Sequence, residues 1–403
     1  MPFNRSDFPM LSRKIHEGSA LVYLDSASTT LKPRQVIDTI VNFYSHDYGT
    51  VHRAAYALAA LSTQRYMAVR ELVQSHLHAK SIEEIIFTKG TTESINLVAA
   101  SFGEAFVTAG DEVIISGAEH HSNILPWKFL CDKKNAHLRV IPLLQDGTLD
   151  LRAYSQMLSS RTKIVSVAHV SNLLGIVNPL PSIIEQAHAK GAKVFVDGAQ
   201  SAPHMLIDVQ KLDCDFFTFS GHKIYGPTGI GILYGKKNLL EQMPPYQLGS
   251  DMVQFCSFKE VALQALPLKF EAGTPMIAEV MGLGAALSYL NHYGIHRIAS
   301  YETSLIKTTL ERLSQWDEIT ILGPLHNRTS LITFFVKGMH SLDVASFLDA
   351  KGIALRSGHL CAQPMVNHFG LDSVLRVSVA PYNTHEEMDY FCENLKAIFT
   401  LAL

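Results

Sequence analysis

The chain is 403 residues long, which is enough for two domains of ordinary size. Hydrophobic residues make up 47% of it and charged residues 18%, so the chain can bury a large core and extensive disorder is excluded. The formal net charge of -3 disfavours a nucleic-acid-binding protein, because such proteins need excess cations to neutralise phosphates.

Neither a membrane segment nor a disulfide framework is readable in the sequence. No apolar run reaches the roughly 18 residues of a membrane-spanning helix, and residues 1–18 lack the apolar segment of a signal peptide. The five cysteines are widely spaced and form no C-x-x-C pair, which predicts neither disulfides nor a metal site. We therefore expect a cytoplasmic protein that binds no metal, no membrane and no nucleic acid.

Short apolar runs alternate with amphipathic stretches through the first two thirds of the chain. The runs predict strands over residues 84–88, 112–116, 163–169, 193–196, 215–220 and 229–234. Between them, the spacing of apolar residues predicts helices over residues 92–106 and 180–190. Continuously apolar strands separated by helices indicate an α/β fold with a mostly parallel sheet between helices.

The pattern changes after about residue 280. Helices are predicted over residues 280–293, 298–315 and 342–350 and from His385 onward, with a strand over residues 330–336. These elements indicate a second, smaller α/β domain. Residues 243–275 have little regular pattern and contain four prolines, so we predict a functional loop or lid there.

Polar residues follow five of the predicted strands. They are residues 89–93, 119–123, 171–172, 197–200 and 221–223. Ligands of open α/β sheets bind outside the carboxyl ends of the strands, so five such ends predict one convergent site.

Three of these strand ends together predict a cofactor. Gly90, Thr91 and Thr92 open a helix whose free N–H groups suit a phosphate, although they also suit an ordinary N-cap. Asp197 follows an apolar strand, where its carboxylate needs a cation or backbone donors. Lys223 lies in a glycine-bracketed turn, where a desolvated lysine can form a Schiff base. The combination predicts pyridoxal 5′-phosphate (PLP), and no Walker loop or G-x-G-x-x-G motif supports a nucleotide.

Motifs in order along nearly the whole chain resemble the class V aminotransferase superfamily. They are YLDSA at 23–27, VHR at 51–53, GTTE at 90–93, EHH at 119–121, DGAQ at 197–200, SGHK at 220–223 and GPTG at 226–229. Two further segments, RSGHLCAQP at 356–364 and RVSVAPYNT at 376–384, resemble the SufS-type (group II) cysteine desulfurases.

This resemblance implies a PLP-dependent transferase of fold type I. Residues 20–285 would form a large PLP-binding domain with a mostly parallel seven-stranded sheet. Residues 1–19 and 286–403 would form the small domain with the catalytic cysteine loop. The resemblance further implies a homodimeric enzyme that converts L-cysteine to L-alanine and leaves a persulfide on Cys361. A SufE-like or SufU-like acceptor protein would then take the sulfur for iron–sulfur cluster assembly.

The resemblance also implies a role for each of twelve residues. The catalytic residues would be the nucleophile Cys361, the Schiff-base lysine and proton carrier Lys223, and His120, which would stack on the cofactor ring. The phosphate would be held by Thr92, Ser220, His222 and, from a second subunit, Thr274; Asp197 would pair with the ring nitrogen and Gln200 with the phenolic oxygen. Asn172 and Arg376 would bind the substrate carboxylate, and Arg356 would lie near the thiol loop.

The chain departs from the sequence pattern of these relatives at two places. Relatives often have a glycine-rich run where LGS stands at 248–250, and a second histidine where Leu360 stands.

A selenocysteine lyase is the alternative enzyme, because the same scaffold cleaves the C–Se bond with less need for a nucleophilic cysteine. A non-catalytic scaffold that binds sulfur carriers is the third interpretation, which the intact Lys223, Asp197, His120 and Cys361 disfavour.

Overall fold

A computed structural model of the chain describes residues 3–401. Residues 1–2 and 402–403, which belong to the predicted small domain, lie outside the described residues. The α-helices within residues 3–401 are α1 (Arg34–Asn42), α2 (Ala57–Leu77), α3 (Thr91–Phe106), α4 (Leu125–Lys134), α5 (Leu151–Met157), α6 (Leu180–His188), α7 (Val209–Leu212), α8 (Lys237–Gln242), α9 (Ile277–Tyr293), α10 (Ile295–Leu313), α11 (Ser341–Ala350), α12 (Gln363–His368) and α13 (His385–Leu401).

Most of the strands are short. Over the same residues they are β1 (Lys14–Ile15), β2 (Ser19–Ala20), β3 (Val22–Tyr23), β4 (Ile85–Thr88), β5 (Glu112–Ser116), β6 (His137–Ile141), β7 (Thr162–Ala168), β8 (Lys193–Asp197), β9 (Phe216–Ser220), β10 (Gly231–Gly235), β11 (Val253–Cys256), β12 (Val261–Leu263), β13 (Ile319–Ile321), β14 (Leu331–Val336), β15 (Ile353–Ala354), β16 (Arg356–Gly358) and β17 (Val374–Ser378).

The largest sheet has seven strands in the order β4-β10-β9-β8-β7-β5-β6. Strands β5 to β9 pair in parallel, and β10 alone runs antiparallel to both of its neighbours. Strands β4, β5, β9 and β10 are buried along their whole length, as strands covered by helices on both faces must be. The predicted mostly parallel seven-stranded α/β sheet is therefore confirmed.

A second, antiparallel sheet has the strand order β13-β14-β17-β16. Its core contains Leu305 of α10, Leu348 of α11 and Phe391 of α13, together with Val22 and Leu24 from the start of the chain. Residues near the N-terminus also pair directly with this region, because β3 lies parallel to β15 and Asp25 bridges Ser378. The domain boundaries at residues 20 and 285 remain a prediction.

The segment 243–275 is more regular than its sequence predicts. It contains the hairpin β11–β12 and a 3-10 helix, Leu268–Phe270. The strands are short, and Phe255 and Val261 on them are exposed, as is Phe258 between them. The sequence therefore shows no alternation of buried and exposed positions that would indicate strands. A functional role for this segment as a loop or lid stays a prediction. None of the helices within residues 3–401 is long and apolar enough to cross a membrane.

Candidate active site

A cavity of about 330 Å³ lies beside the carboxyl ends of the parallel strands. Its wall combines the segments that follow β5, β7, β8 and β9 with the start of α3 and parts of β16 and β17. Eleven of the twelve predicted site residues line it: Thr92, His120, Asn172, Asp197, Gln200, Ser220, His222, Lys223, Arg356, Cys361 and Arg376. Thr274 does not line this cavity and is exposed.

Lys223 ends a 3-10 turn that directly follows β9. Its Nζ lines the cavity without a hydrogen bond or ion pair to any residue that the structure describes. Burial lowers the pKa of Lys223 to about 8, against the opposing effect of the Asp197 carboxylate. A lysine amine with such a pKa is available as a base or nucleophile close to neutral pH.

The backbone beside Lys223 is fixed by one carbonyl group. The carbonyl oxygen of His222 accepts hydrogen bonds from Thr29 Oγ1 (3.2 Å), Thr30 N (3.0 Å) and Thr30 Oγ1 (3.1 Å). Lys32 Nζ donates a further bond to it at 2.8 Å, and burial lowers the pKa of Lys32 to about 7. The N-terminal segment therefore holds the lysine turn in place.

Asp197 is buried and His120 is partly buried, and each accepts a hydrogen bond from a backbone N–H. Asp197 is 5% exposed, its Oδ1 accepts a hydrogen bond from Ala199 N at 2.9 Å, and burial raises its pKa. It forms no ion pair with any residue between 3 and 401, so its second oxygen is available to a cationic N–H. Burial lowers the pKa of His120 to about 4, and its Nδ1 accepts from Ser122 N at 3.1 Å, which leaves the proton on Nε2.

The start of α3 forms an anion cradle with the end of β9. Helix α3 begins after Gly90 without a side-chain cap, so that N–H groups of its first turn are open to a ligand. Ser220 Oγ accepts from Thr91 N and donates to Thr91 Oγ1, both at 2.9 Å. Thr92 Oγ1 and Ser122 Oγ lie 2.8 Å apart. Hydroxyls and helix N–H groups in this arrangement suit a phosphate.

Two arginines from the second sheet complete the cavity. Arg376 is 3% exposed; its Nη1 donates to the Asn172 carbonyl at 2.7 Å, and its Nη2 donates to Ser28 Oγ at 2.7 Å. Its Nε is buried and has no hydrogen-bond partner among the described residues, and burial lowers its pKa. Arg356 is half exposed, and its Nη1 lies 3.5 Å from Asp25. Both arginines line the cavity, and guanidinium groups there suit a carboxylate.

Cys361 lies in a tight loop between β16 and α12, with its side chain exposed. Leu360 and Cys361 have φ values of 54° and 56°, so two successive non-glycine residues are left-handed. Such strain persists where neighbouring groups impose it. Here Asn172 Nδ2 donates to the Leu360 carbonyl and His121 N donates to the Cys361 carbonyl, both at 2.8 Å.

Three residues beyond the twelve predicted ones contribute to this site. His121 holds the thiol loop through its N–H and through Nε2, which accepts a hydrogen bond from Gln363 N at 3.2 Å. Asp25 and Ser28 contact Arg376. The only signal for Asp25 was its place in the YLDSA motif, because the arginine it contacts lies 351 residues away.

The other thiols lie in different surroundings. Cys131, Cys214 and Cys392 are buried, and burial raises the pKa of Cys131 and of Cys392 to about 11. Cys256 is exposed on the β11–β12 hairpin. In the described part of the chain, no three His, Cys, Asp or Glu side chains are grouped to hold a metal ion.

Comparison with known proteins agrees with this geometry. The family model for aminotransferase class V matches residues 22–391. A cysteine desulfurase of Escherichia coli O9:H4 (strain HS) is 48% identical over 398 residues, which cover 98% of each chain. Among solved structures, the cysteine desulfurase CsdA (S-sulfonic acid) from Escherichia coli superposes with a TM-score of 0.92 at 40% identity over 99% of each chain. The apo cysteine desulfurase from Thermococcus onnurineus NA1 gives 0.93 at 36% identity, over 98% of this chain and 96% of that one.

Proposed function

Because the chain belongs to the aminotransferase class V family and, within it, to the cysteine desulfurases, we propose that it converts L-cysteine to L-alanine and transfers the sulfur to Cys361. One observation supports this most directly: the unpaired amine of Lys223 and the exposed loop thiol of Cys361 line the same cavity. Sulfur transfer needs both groups within reach of one substrate.

The cavity fits PLP as the cofactor. The uncapped start of α3 with Thr92, Ser220 and His222 suits its phosphate, and the buried, unpaired Asp197 suits its ring N–H. Gln200 donates one N–H to the Ala27 carbonyl at 2.7 Å and has a second for the phenolic oxygen. When bound, PLP supplies an electron sink that makes the α-hydrogen of an amino acid acidic.

The protein's own groups then act on the substrate. Arg376 and Asn172 hold the carboxylate of L-cysteine, and Lys223 Nζ takes the α-proton, which its pKa near 8 permits. We place neutral His120 against the cofactor ring, with its Nε2 proton available to the substrate. Cys361 Sγ loses its proton and attacks the substrate sulfur: an S–S bond forms, the bond between Cβ and sulfur breaks, and Cβ and Cα each take up a proton to give alanine.

The exposed persulfide on Cys361 would be accessible to a second protein. We propose a SufE-like or SufU-like acceptor, iron–sulfur cluster assembly as the destination of the sulfur, and a cytoplasmic location. The exposure of Cys361 and the absence of disulfides among the described cysteines support these assignments.

The proposed function is tested by product analysis of the PLP-loaded protein. With L-cysteine and a thiol reductant we expect alanine and sulfide in equal amounts. A parallel assay uses L-selenocysteine in place of L-cysteine. Alanine formed from L-selenocysteine but not from L-cysteine would contradict the proposal and favour the selenocysteine lyase. A protein that binds no PLP and forms no alanine would favour the non-catalytic scaffold.

Thr274 provides the test of the dimer. Its segment is firmly held by two sets of hydrogen bonds. The Glu271 carboxylate accepts from buried Arg70 at 2.7 and 2.8 Å, and Gly273 N donates to the Ser250 carbonyl oxygen at 2.9 Å. Thr274 itself is exposed, so we propose that it completes the phosphate site of a second copy of the chain.

We therefore expect a dimer by light scattering, and we expect Thr274→Ala to weaken PLP retention about tenfold through loss of one hydrogen bond to a charged group. Equilibrium dialysis against PLP measures the loss. Thr303→Ala, on the exposed side of α10, is the control and should retain PLP normally. A fully active monomer would contradict the proposal.

A further inference from the structure

His121 contacts the thiol loop on both sides of the Cys361 side chain. Its N–H donates to the Cys361 carbonyl oxygen at 2.8 Å, and its Nε2 accepts a hydrogen bond from Gln363 N at 3.2 Å. These bonds join the segment after β5 to the start of α12, although His121 and Gln363 are 242 residues apart in the chain. Cys361 lines the cavity and His121 does not, so His121 acts on a substrate only through the loop.

A buried network of hydrogen bonds fixes the segment that contains His121. Glu119 is 1% exposed, and its carboxylate accepts from Ala168 N at 2.9 Å and from Asn123 Nδ2 at 2.7 Å. Asn123 Oδ1 in turn accepts from Trp127 Nε1 at 2.8 Å. The residues on either side of His121 are thus tied to β7 and α4, which makes His121 a fixed support for the loop.

The loop needs support because its backbone is strained. Leu360 and Cys361 are both left-handed, which is unfavourable for residues other than glycine. Three hydrogen bonds from the segments after β5 and β7 act against this strain: one from Asn172 Nδ2 to the Leu360 carbonyl oxygen, and the two formed by His121. Only the bond between the His121 imidazole and Gln363 N depends on the side chain of His121.

The geometry assigns one protonation state to this imidazole. Gln363 N–H is a donor, so Nε2 of His121 presents its lone pair and the ring proton lies on Nδ1. We propose that His121 is a positioning residue for sulfur transfer: its neutral imidazole keeps the Cys361 thiol at the cavity, within reach of the substrate sulfur. The inference deepens the proposed function, on which it rests for the statement that Cys361 takes sulfur from a substrate.

The test replaces the imidazole with side chains that differ in their acceptor. His121→Leu has none, whereas His121→Gln has an amide oxygen that is as many bonds from the main chain as Nε2. The rate of persulfide formation on Cys361 is measured in a single turnover of the PLP-loaded protein with L-cysteine. We expect it to fall about tenfold in His121→Leu, through loss of one hydrogen bond, and to return to within about threefold of the parent value in His121→Gln.

Two further measurements separate positioning of the thiol from general damage to the site. The dissociation constant for L-alanine, obtained from the visible spectrum of the PLP-loaded protein, should stay within about twofold of the parent value in both variants, since His121 does not line the cavity. Hydrogen exchange followed by mass spectrometry should show faster exchange of Gln363 N–H in His121→Leu than in His121→Gln, because only leucine leaves this amide without its acceptor.

His340→Leu is the matched control. The His340 imidazole also accepts a backbone N–H at 3.2 Å, that of Leu342, and it lies outside the cavity, so this variant should match the parent protein in all three measurements. If His121→Leu fails to fold, His121→Asn provides the same test, because its amide oxygen is one bond closer to the main chain and does not reach Gln363 N.

An unchanged rate of persulfide formation in His121→Leu, or in His121→Asn if only that variant folds, would overturn the inference. A rate in His121→Gln as low as that in His121→Leu would also overturn it, as would an affinity for L-alanine that falls as far as the rate. Failure of the proposed function is recognised separately, in the parent protein. The parent would then form no persulfide on Cys361, while hydrogen exchange at Gln363 would still report its bond to His121.

Discussion

The Lys223→Ala variant is expected to lose cysteine desulfurase activity almost completely, with alanine formation falling at least about 1,000-fold. The physical reason is that Lys223 is the only group at the end of β9 whose amine is both unpaired and near its neutral form, with a pKa of about 8. No other lysine lines the cavity within the described residues, so none can replace it.

The same residue should form the covalent link to PLP, and this is measured separately. Borohydride reduction of the parent protein followed by peptide mapping should place the cofactor on Lys223, and the variant should show no reduced adduct. Lys190→Ala, an exposed lysine beyond α6, serves as the control and should behave like the parent protein. Finding the adduct on another lysine would show that Lys223 has been assigned the wrong role.

The sheet was predictable because its strands are buried on both faces. The run at β5 was predicted with its observed bounds, and those of β7 and β9 to within one residue, since each is a mostly apolar run followed by polar residues. Strand β6 was missed for the opposite reason. It is an edge strand, and its mixed sequence His137–Ile141 has exposed, partly buried and buried positions in no regular alternation.

The site was predictable where its residues follow strands of the sheet. Lys223, Asp197 and His120 converge because parallel strands end at one edge, and the family motifs identified the arginines and Cys361. Contacts between the N-terminal segment and β17 could not be predicted. The pairing of Asp25 with Arg376 depends on how two distant segments pack, and no local pattern of residues encodes it.

Replacing Cys361 with alanine should separate cofactor binding from sulfur transfer. We expect the variant to retain PLP and to bind L-cysteine with a change in its visible spectrum, because Arg376, Asn172 and Lys223 remain. Formation of protein persulfide should be lost, and alanine formation should fall at least about 100-fold, as expected when the nucleophile that takes the sulfur is removed. Alanine and persulfide are measured on the same samples after addition of L-cysteine.

The loop itself should survive the substitution, which makes the variant informative. The strained backbone at φ 56° is held through the carbonyl oxygens of Leu360 and Cys361, which alanine keeps, and alanine has the same Cβ as cysteine. Cys256→Ala is the matched control, since Cys256 is the other exposed thiol among the described residues and lies outside the cavity.

Peptide mapping after turnover decides between the remaining mechanisms. Persulfide on Cys361 alone is the expected result, since the other thiols are either buried with a raised pKa or, for Cys256, lie on the β11–β12 hairpin outside the cavity. Persulfide on Cys256 would mean that the nucleophile is misassigned. Full activity of Cys361→Ala with L-cysteine would mean that no protein thiol at this position takes the sulfur, and a lyase that releases its chalcogen directly would then explain the cavity better.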